Sequence, residues 1–404
     1  MVKVIIVSKK DKHMWSRYNR YLKDFPKAGY VTIYNLFTKK SVCYRSDLLN
    51  SEGSIKDDHN EKMQKYGIIT DSYERELHNV IEHYKTITNS HNKLKLMIVL
   101  TSDCNCCCKY CYEKSCVDRF SVFDDNAKRK LYEFVQRKIS DNKSVENISV
   151  IFYGGEPLLQ NKVITDISTF FHDKYGDKYY FSIITNGTLI KKSTLEHWKN
   201  IGLRILKITI DGNEQSHNRR RPYNDGRGTY KDILTNLEKV PNEVETRVNI
   251  VLDNEVDGVE ELLSDLAKLK SSNITISLNP VEPWIGSYKE EADIILKYAT
   301  ILKNKNFFQY SKLAGTHGDI CEGKLNNFYT IDGDGNIYEC NGKFYKIGEL
   351  GEDIKRTNFE INKECKDCKY LPICFGDCIY GKDCHKDFFE YICDSLLKIY
   401  LSFK

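Results

Sequence analysis

No apolar run in these 404 residues approaches the ~18 that a membrane-spanning helix needs, so no membrane partner is expected. Proline is scarce, at seven residues, and neither a repeat of fixed period nor a low-complexity tract is present. Repeat architectures and proline-rich linkers are therefore excluded. Charge of one sign is lacking too: the net charge of +4 is spread along the chain and gives no reason to expect nucleic acid. The opening segment Met1-Val2-Lys3-Val4-Ile5-Ile6-Val7 turns charged at Lys9-Lys10-Asp11-Lys12 without a small-residue cleavage site. It reads as a first β-strand and not as an export signal, which makes the cytoplasm the expected compartment.

Cysteine is what the chain has in excess. Fifteen are present, and all but Cys43 and Cys393 fall within residues 104–116 and 321–384. In a reducing compartment, an odd total in tight clusters argues against a disulfide framework and for metal ligands. Structural zinc and iron–sulfur clusters are the two candidates.

The length implies two or three domains. Residues 1–92 hold a hairpin, Tyr30–Phe37 and Ser41–Tyr44 around Thr38-Lys39-Lys40, then helices near Asp57–Tyr66 and Glu74–Thr86. This is a small α/β module of winged-helix-like pattern. Residues 93–299 alternate strands with amphipathic helices. The expected strands are Leu96–Leu100, Ile148–Tyr153, Tyr180–Thr185, Ile205–Ile210, Arg247–Leu252 and Ile274–Leu278. Six such repeats predict an α/β fold, a partial (β/α)6 TIM-like barrel with its active site on the loops after the strand C-termini. Residues 300–404 are cysteine-rich and close with an amphipathic helix over Phe388–Phe403.

The loop after the first barrel strand contains Cys104-x3-Cys108-x2-Cys111. Three thiolates can hold three corners of a cubane and leave the fourth iron open, whereas structural zinc normally takes a fourth protein ligand. This spacing in this place resembles the radical S-adenosylmethionine (radical SAM) superfamily. The resemblance implies a [4Fe-4S] cluster whose open iron is chelated by S-adenosyl-L-methionine, with Tyr110 near the adenine. Cys106, Cys107 and Cys116 fall outside the spacing and read as spare thiols. Three further strand ends corroborate it: Tyr153-Gly154-Gly155-Glu156-Pro157, Thr185-Asn186-Gly187, and Thr209-Ile210-Asp211-Gly212 with Arg221 beyond. By resemblance Gly154 and Gly155 lie beside the cofactor's amino group, Thr209 meets its ribose and Arg221 its carboxylate. Glu156, Asn186 and Asp211 complete the binding set, and Leu278 matches a position packing on the adenine.

The C-terminal pattern, Cys321, Gly335-x4-Cys340 and Cys365-x2-Cys368-x5-Cys374-x3-Cys378, resembles the SPASM domain of peptide-modifying superfamily members. The resemblance implies two auxiliary [4Fe-4S] clusters, one on Cys321, Cys340 and Cys378, the other on Cys365, Cys368, Cys374 and a later cysteine. Cys393 shares an apolar helical stripe with Phe389, Leu396, Leu397 and Tyr400, so Cys384 is the expected ligand. The first auxiliary cluster either keeps an open iron or borrows Cys393. Zinc at Cys365-x2-Cys368 is the competing reading.

In function, the resemblance implies hydrogen abstraction by a 5′-deoxyadenosyl radical, with a flavodoxin- or ferredoxin-like electron donor. The N-terminal pattern resembles the precursor-recognition element of enzymes that modify ribosomally made peptides, which binds a leader peptide as an added strand. The expected activity is precursor-peptide maturation, with a thioether or related crosslink as product. Anaerobic sulfatase maturation, which forms formylglycine, is the alternative, although Asn341 after Cys340 cannot act as a carboxylate base. A non-catalytic iron–sulfur electron-transfer or scaffold protein is the alternative of another class.

Overall fold

The computed structural model describes residues 14–48, 60–111, 121–269, 273–281, 284–307, 309–310, 320–340, 342–357, 360–376, 378 and 384–402. The strand expected over Met1–Val7, together with Cys116 and Asn341, lies outside the described residues.

The N-terminal module runs β1 (Met14–Trp15), β2 (Asn19–Lys23), β3 (Tyr30–Asn35), β4 (Ser41–Arg45), α1 (Asn60–Lys65), β5 (Ile69–Thr70) and α2 (Tyr73–Thr88). The expected hairpin is β3–β4, paired antiparallel from Tyr30↔Arg45 to Tyr34↔Ser41, and β2 adds a third strand on the other side of β3. Strand alternation gives this sheet two working faces. Val31, Ile33 and Val42 pack with Met63, Ile68 and Ile69 in a small core of their own. Leu22 and Tyr34 join the main core instead. Both faces of β3 are therefore covered, which is why it reads as a continuous apolar and aromatic run.

The barrel follows: β6 (Lys93–Val99), α3 (Asp125–Asp141), β7 (Asn147–Tyr153), α4 (Asn161–Tyr175), β8 (Tyr179–Thr185), α5 (Lys192–Asn200) and β9 (Leu203–Thr209). After β9 come α6 (Glu214–Arg220), α7 (Tyr230–Leu237), β10 (Glu245–Leu252), α8 (Val259–Lys268), β11 (Ile274–Pro280), α9 (Tyr288–Asn304) and β12 (Gln309–Tyr310). β6 to β12 hydrogen-bond in sequence order, all parallel. Helix starts are fixed locally. Asp124 Oδ1 accepts from Ala127 N at 2.7 Å, and Ser287 with Glu290 forms a reciprocal capping box on α9.

The sheet does not end with the barrel. β13 (Phe328–Ile331) pairs in parallel with β6, and β14 (Asn336–Tyr338) and β15 (Lys346–Glu349) extend it antiparallel to ten strands. The sheet thus runs across the boundary expected at residue 300, which itself falls inside α9. The chain closes with α10 (Leu371–Cys374) and α11 (Lys386–Leu401). Among the described residues no helix is long and apolar enough to cross a membrane.

Candidate active site

The strand-end features around Gly154, Glu156, Asn186 and Asp211 converge on the loop that follows β6. Leu100 N donates to Tyr153 O at 2.9 Å, Gly155 N to Thr101 O at 2.8 Å and Glu156 N to Asp103 O at 2.8 Å. The loop after β7 is thereby laced to the cysteine loop residue by residue. A Cβ on Gly154 would stand 2.5 Å from Thr101 O, and one on Gly155 would stand 2.7 Å from Ser102 O and closer still to Asp103 O. Gly154 also sits at φ +134°, a conformation open to glycine alone. The close approach these glycines allow is to the backbone of the cysteine loop.

Glu156 is wholly buried and ties the next strand end into the same assembly. Its Oε1 accepts from Leu158 N at 2.9 Å and Thr185 Oγ1 at 2.7 Å, and its Oε2 accepts from Asn186 N at 2.8 Å. Burial pushes its pKa up to about 7 against the pull of these donors. Asn186 in turn donates through Nδ2 to Asn105 Oδ1 at 2.8 Å and Cys106 Sγ at 3.3 Å, and Asn105 Nδ2 donates to Thr188 Oγ1 at 2.8 Å.

From the other side, the segment after α6 pairs with the same loop. Cys106 and Tyr223 form an antiparallel bridge, Cys107 N donates to Pro222 O at 2.8 Å and Lys109 N donates to Arg220 O at 3.0 Å. Below it lies a buried charge network. The Tyr110 hydroxyl donates to Asp211 Oδ2, Arg221 Nη1 donates to Tyr110 OH at 2.6 Å, and the Arg220 guanidinium lies 4.8 Å over the Tyr110 ring. Asp211 Oδ1 accepts from Val251 N at 2.9 Å, and Arg220 pairs with Asp253 and with Asp211 at 3.5 Å. Asp211 and Glu156 therefore hold neighbouring strand ends in place with all their carboxylate oxygens engaged.

The thiols differ in environment. Cys104 is the acidic one, lowered to about 6 by a hydrogen bond from the Cys106 thiol, and the Cys106 amide donates to its sulfur at 3.4 Å. Burial pushes Cys108 up to about 11, opposed by the positive charge of Arg221. Cys106 is buried and engaged by Asn186, and Cys107 is exposed. Among the described residues, no three His, Cys, Asp or Glu side chains gather around a single-ion position. With a buried guanidinium beside these thiols, the loop is suited to an anionic cluster.

Thr209 lies at the end of β9 in register with Asn249, whose neighbours on the same face are Ser277 and Asn279. Leu278 alternates with those two and sits with Ile250 in the main core, on the opposite face. The structure therefore does not bring Leu278 to the polar face that Thr209 joins, because one residue along a strand reverses the side chain.

In the C-terminal region Cys365 lies within a short 3-10 turn at Lys363–Asp367, Cys368 follows it, and Cys374 ends α10. Burial raises the Cys365 pKa, with the Cys384 and Cys368 thiols as the next causes. Cys393 has no exposed surface and belongs to the apolar core, where burial pushes it up to about 12. Cys340 is buried, with Gly342 N donating to its sulfur at 3.3 Å, and Cys321 precedes a 3-10 turn at Glu322–Lys324. Sequence reasoning missed Arg220, Asp253 and Tyr223. Arg220 is the last residue of α6, Tyr223 lies in the loop beyond it and Asp253 follows β10, places where periodicity carries no signal.

Residues 98–267 match the family model of the radical SAM superfamily. That segment of the chain is a radical SAM domain, and the protein is an enzyme whose chemistry rests on S-adenosylmethionine and a [4Fe-4S] cluster. It is 24% identical over 335 residues to a cysteine-type anaerobic sulfatase-maturating enzyme of Clostridium novyi, covering 70% of this chain and 87% of that one. It is also 24% identical over 382 residues to the radical SAM cyclopropyl synthase TigE of Paramaledivibacter caminithermalis, covering 82% and 77%. Among solved structures, an anaerobic sulfatase-maturating enzyme with bound AdoMet and a peptide superposes with a TM-score of 0.59 at 19% identity, over 77% of this chain and 100% of that one. Streptococcus suis SuiB bound to precursor peptide SuiA superposes with a TM-score of 0.50 at 15% identity, over 95% and 99%.

Proposed function

We propose that this enzyme matures a ribosomally made precursor peptide, recognising a leader segment through its N-terminal module and forming a thioether or related crosslink. The observation that carries this reading is the module itself. The sulfatase-maturating structure leaves 23% of this chain unmatched, while SuiB, solved with a precursor peptide, is matched over 95% of it. Among the described residues β4 is an edge strand of the three-stranded sheet, and β2, the other edge, packs on α11. An extended leader would add to β4 by main-chain hydrogen bonds.

In this reading Cys104, Cys108 and Cys111 hold the first cluster, and Tyr110, Gly154, Gly155, Glu156, Asn186, Thr209, Asp211 and Arg221 form or support the cofactor cradle. Cys321, Cys340 and Cys378 hold one auxiliary cluster, and Cys365, Cys368, Cys374 and Cys384 the other. When bound, cofactor and cluster supply a primary carbon radical able to remove hydrogen from an unactivated carbon, which no side-chain base can do. The chain's own part is to fix the cysteine loop through Gly155 and Glu156 and to balance its charge with Arg221. A flavodoxin- or ferredoxin-like protein supplies the electron.

Anaerobically reconstituted protein with S-adenosylmethionine and dithionite is expected to release 5′-deoxyadenosine, and Cys104, Cys108 and Cys111 replaced together by Ala to abolish that release. Persistence in the triple variant would refute the ligand assignment. Co-expression with short open reading frames flanking the gene tests the substrate, with a product lighter by a hydrogen pair as the expected readout. The second reading, sulfatase maturation, is favoured by the 87% coverage of the Clostridium novyi relative. Formylglycine in a sulfatase peptide, without modification of any flanking peptide, would select it.

A further inference from the structure

The segment after α6 is held on both of its edges. On one edge it zips antiparallel to the cysteine loop. Lys109 N donates to Arg220 O at 3.0 Å, Cys107 N to Pro222 O at 2.8 Å and Asn224 N to Asn105 O at 3.0 Å, and Asn224 Nδ2 donates to Cys104 O at 2.8 Å. The carbonyls of Arg220 and Pro222 thus face the loop, while that of Arg221, between them, faces the other edge. There it accepts from Thr229 Oγ1 at 2.7 Å.

Thr229 Oγ1 lies 2.9 Å from His217 Nε2, and His217 Nδ1 accepts from Asp211 N at 3.0 Å. A main-chain amide can only donate, so Nδ1 is the acceptor and Nε2 carries the ring hydrogen. The donors therefore run one way: Asp211 N to His217, His217 to Thr229, and Thr229 to the Arg221 carbonyl. Both side chains of this relay are buried, His217 with no exposed surface. The relay is also braced from α6. Asn218, next to His217, accepts from Tyr230 N at 3.0 Å, and Gly228 packs so closely on Asn218 that a Cβ there would meet its amide.

We propose that His217 and Thr229 are positioning residues for cofactor binding: they tie the Arg221 carbonyl to the chain just beyond β9, and so fix where the Arg221 guanidinium stands for the carboxylate of S-adenosylmethionine. This rests on the reading of Arg221 as the partner of that carboxylate. Without the Thr229 hydroxyl, the Arg221 carbonyl and the His217 Nε2 hydrogen would both be left buried and unpartnered, so the segment shifts to recover partners. The Arg221 guanidinium, which donates to Tyr110 OH at 2.6 Å, shifts with its main chain.

The test measures binding of S-adenosylmethionine to the full chain by equilibrium dialysis, after anaerobic reconstitution and without reductant, so that no turnover occurs. Thr229→Val keeps the shape and removes the hydroxyl, and is expected to weaken binding about tenfold, whereas Thr229→Ser binds as the unaltered protein does. His217→Asn keeps an acceptor for Asp211 N but falls short of Thr229, and is expected to weaken binding likewise; it carries the test if Thr229→Val does not fold. In cluster-free protein both changes are expected to speed hydrogen exchange over residues 104–109. Unaltered affinity or unaltered exchange in the folded variants would overturn the proposal. So would equal weakening by Thr229→Val and Thr229→Ser, which would make shape and not the hydroxyl the cause. Arg221→Gln separates the two readings. If it leaves the affinity unchanged, the role of Arg221 itself falls; if it alone weakens binding, only the relay does.

Discussion

Glu156→Gln offers a direct measure of how the strand-end assembly is held. The carboxyl is wholly buried, and burial raises it from 4.5 to about 7 in the folded chain. Its folded-state pKa lies above the unfolded one, so the stability it contributes is fully present below pH 4.5 and is lost as pH rises through about 7. That interval, at about 1.4 kcal/mol for each step of one in pH, corresponds to about 3 kcal/mol. Glutamine keeps the shape and carries no charge at any of these pH values. The assay is chemical unfolding of cluster-free protein under anaerobic conditions at a series of pH values from about 4.5 to about 8. The unaltered protein is expected to lose about 3 kcal/mol relative to Glu156→Gln across the series. Parallel curves would refute the reasoning. They would mean that the donors from Leu158, Thr185 and Asn186 compensate the burial in full.

Gly155→Ala places a methyl group against Ser102 O and Asp103 O, both backbone atoms that move only with the loop. It is expected to cost about 1–3 kcal/mol by overpacking and to lower iron uptake at the first cluster, with melting and iron assays as readouts. Cys384→Ser is expected to reduce iron content or broaden the auxiliary EPR signal. Cys393→Ser should leave the iron count unchanged but lower stability, because it puts a hydroxyl into an apolar core. Arg20→Ala removes hydrogen bonds to Asp394 and Tyr370 and is expected to cost about 1–3 kcal/mol, read as earlier proteolytic release of the N-terminal module.

The barrel is legible in the sequence because its strands are buried on the helix side and its helices carry one apolar stripe. Lys192–Asn200 is a helix with the limits its pattern implies, and Arg247–Leu252 lies within β10. The convergence of four strand ends on one loop also follows from βαβ order, since parallel strands send their C-terminal loops to one side. What escapes reading has particular causes. β13 holds only four residues, all buried, and its parallel partner β6 lies more than two hundred residues earlier, so no local pattern announces the pairing. The packing of Gly154 and Gly155 on the backbone of Thr101, Ser102 and Asp103 is likewise silent in sequence, because a pattern of small residues does not name the atom that fills the space. Leu278 is assigned by resemblance to a strand end, where the two-residue period decides which face it joins.

These positions also explain why the N-terminal module is anchored where it is. Its polar contacts reach the cysteine-rich end of the chain: Arg17 to Lys366 and Asp367, Arg20 to Tyr370 and Asp394, and Lys23 O accepting from Lys398 Nζ at 2.8 Å. At its far end, Asn326 N donates to Thr88 O at 2.9 Å, just before β13 joins β6. The same strand, β6, leads directly into the cysteine loop. A displacement of the module would therefore act on the Cys365–Cys374 segment through Arg17 and Arg20, and on the start of the barrel's first strand through α2. Exposed ion pairs contribute little to such coupling, but the Arg20 side chain is only 10% exposed and hydrogen-bonded on two sides, so this connection persists at high salt. If the coupling ran instead through exposed charges such as Asp367, raising the ionic strength would free the module, and proteolysis in high salt would reproduce the Arg20→Ala pattern.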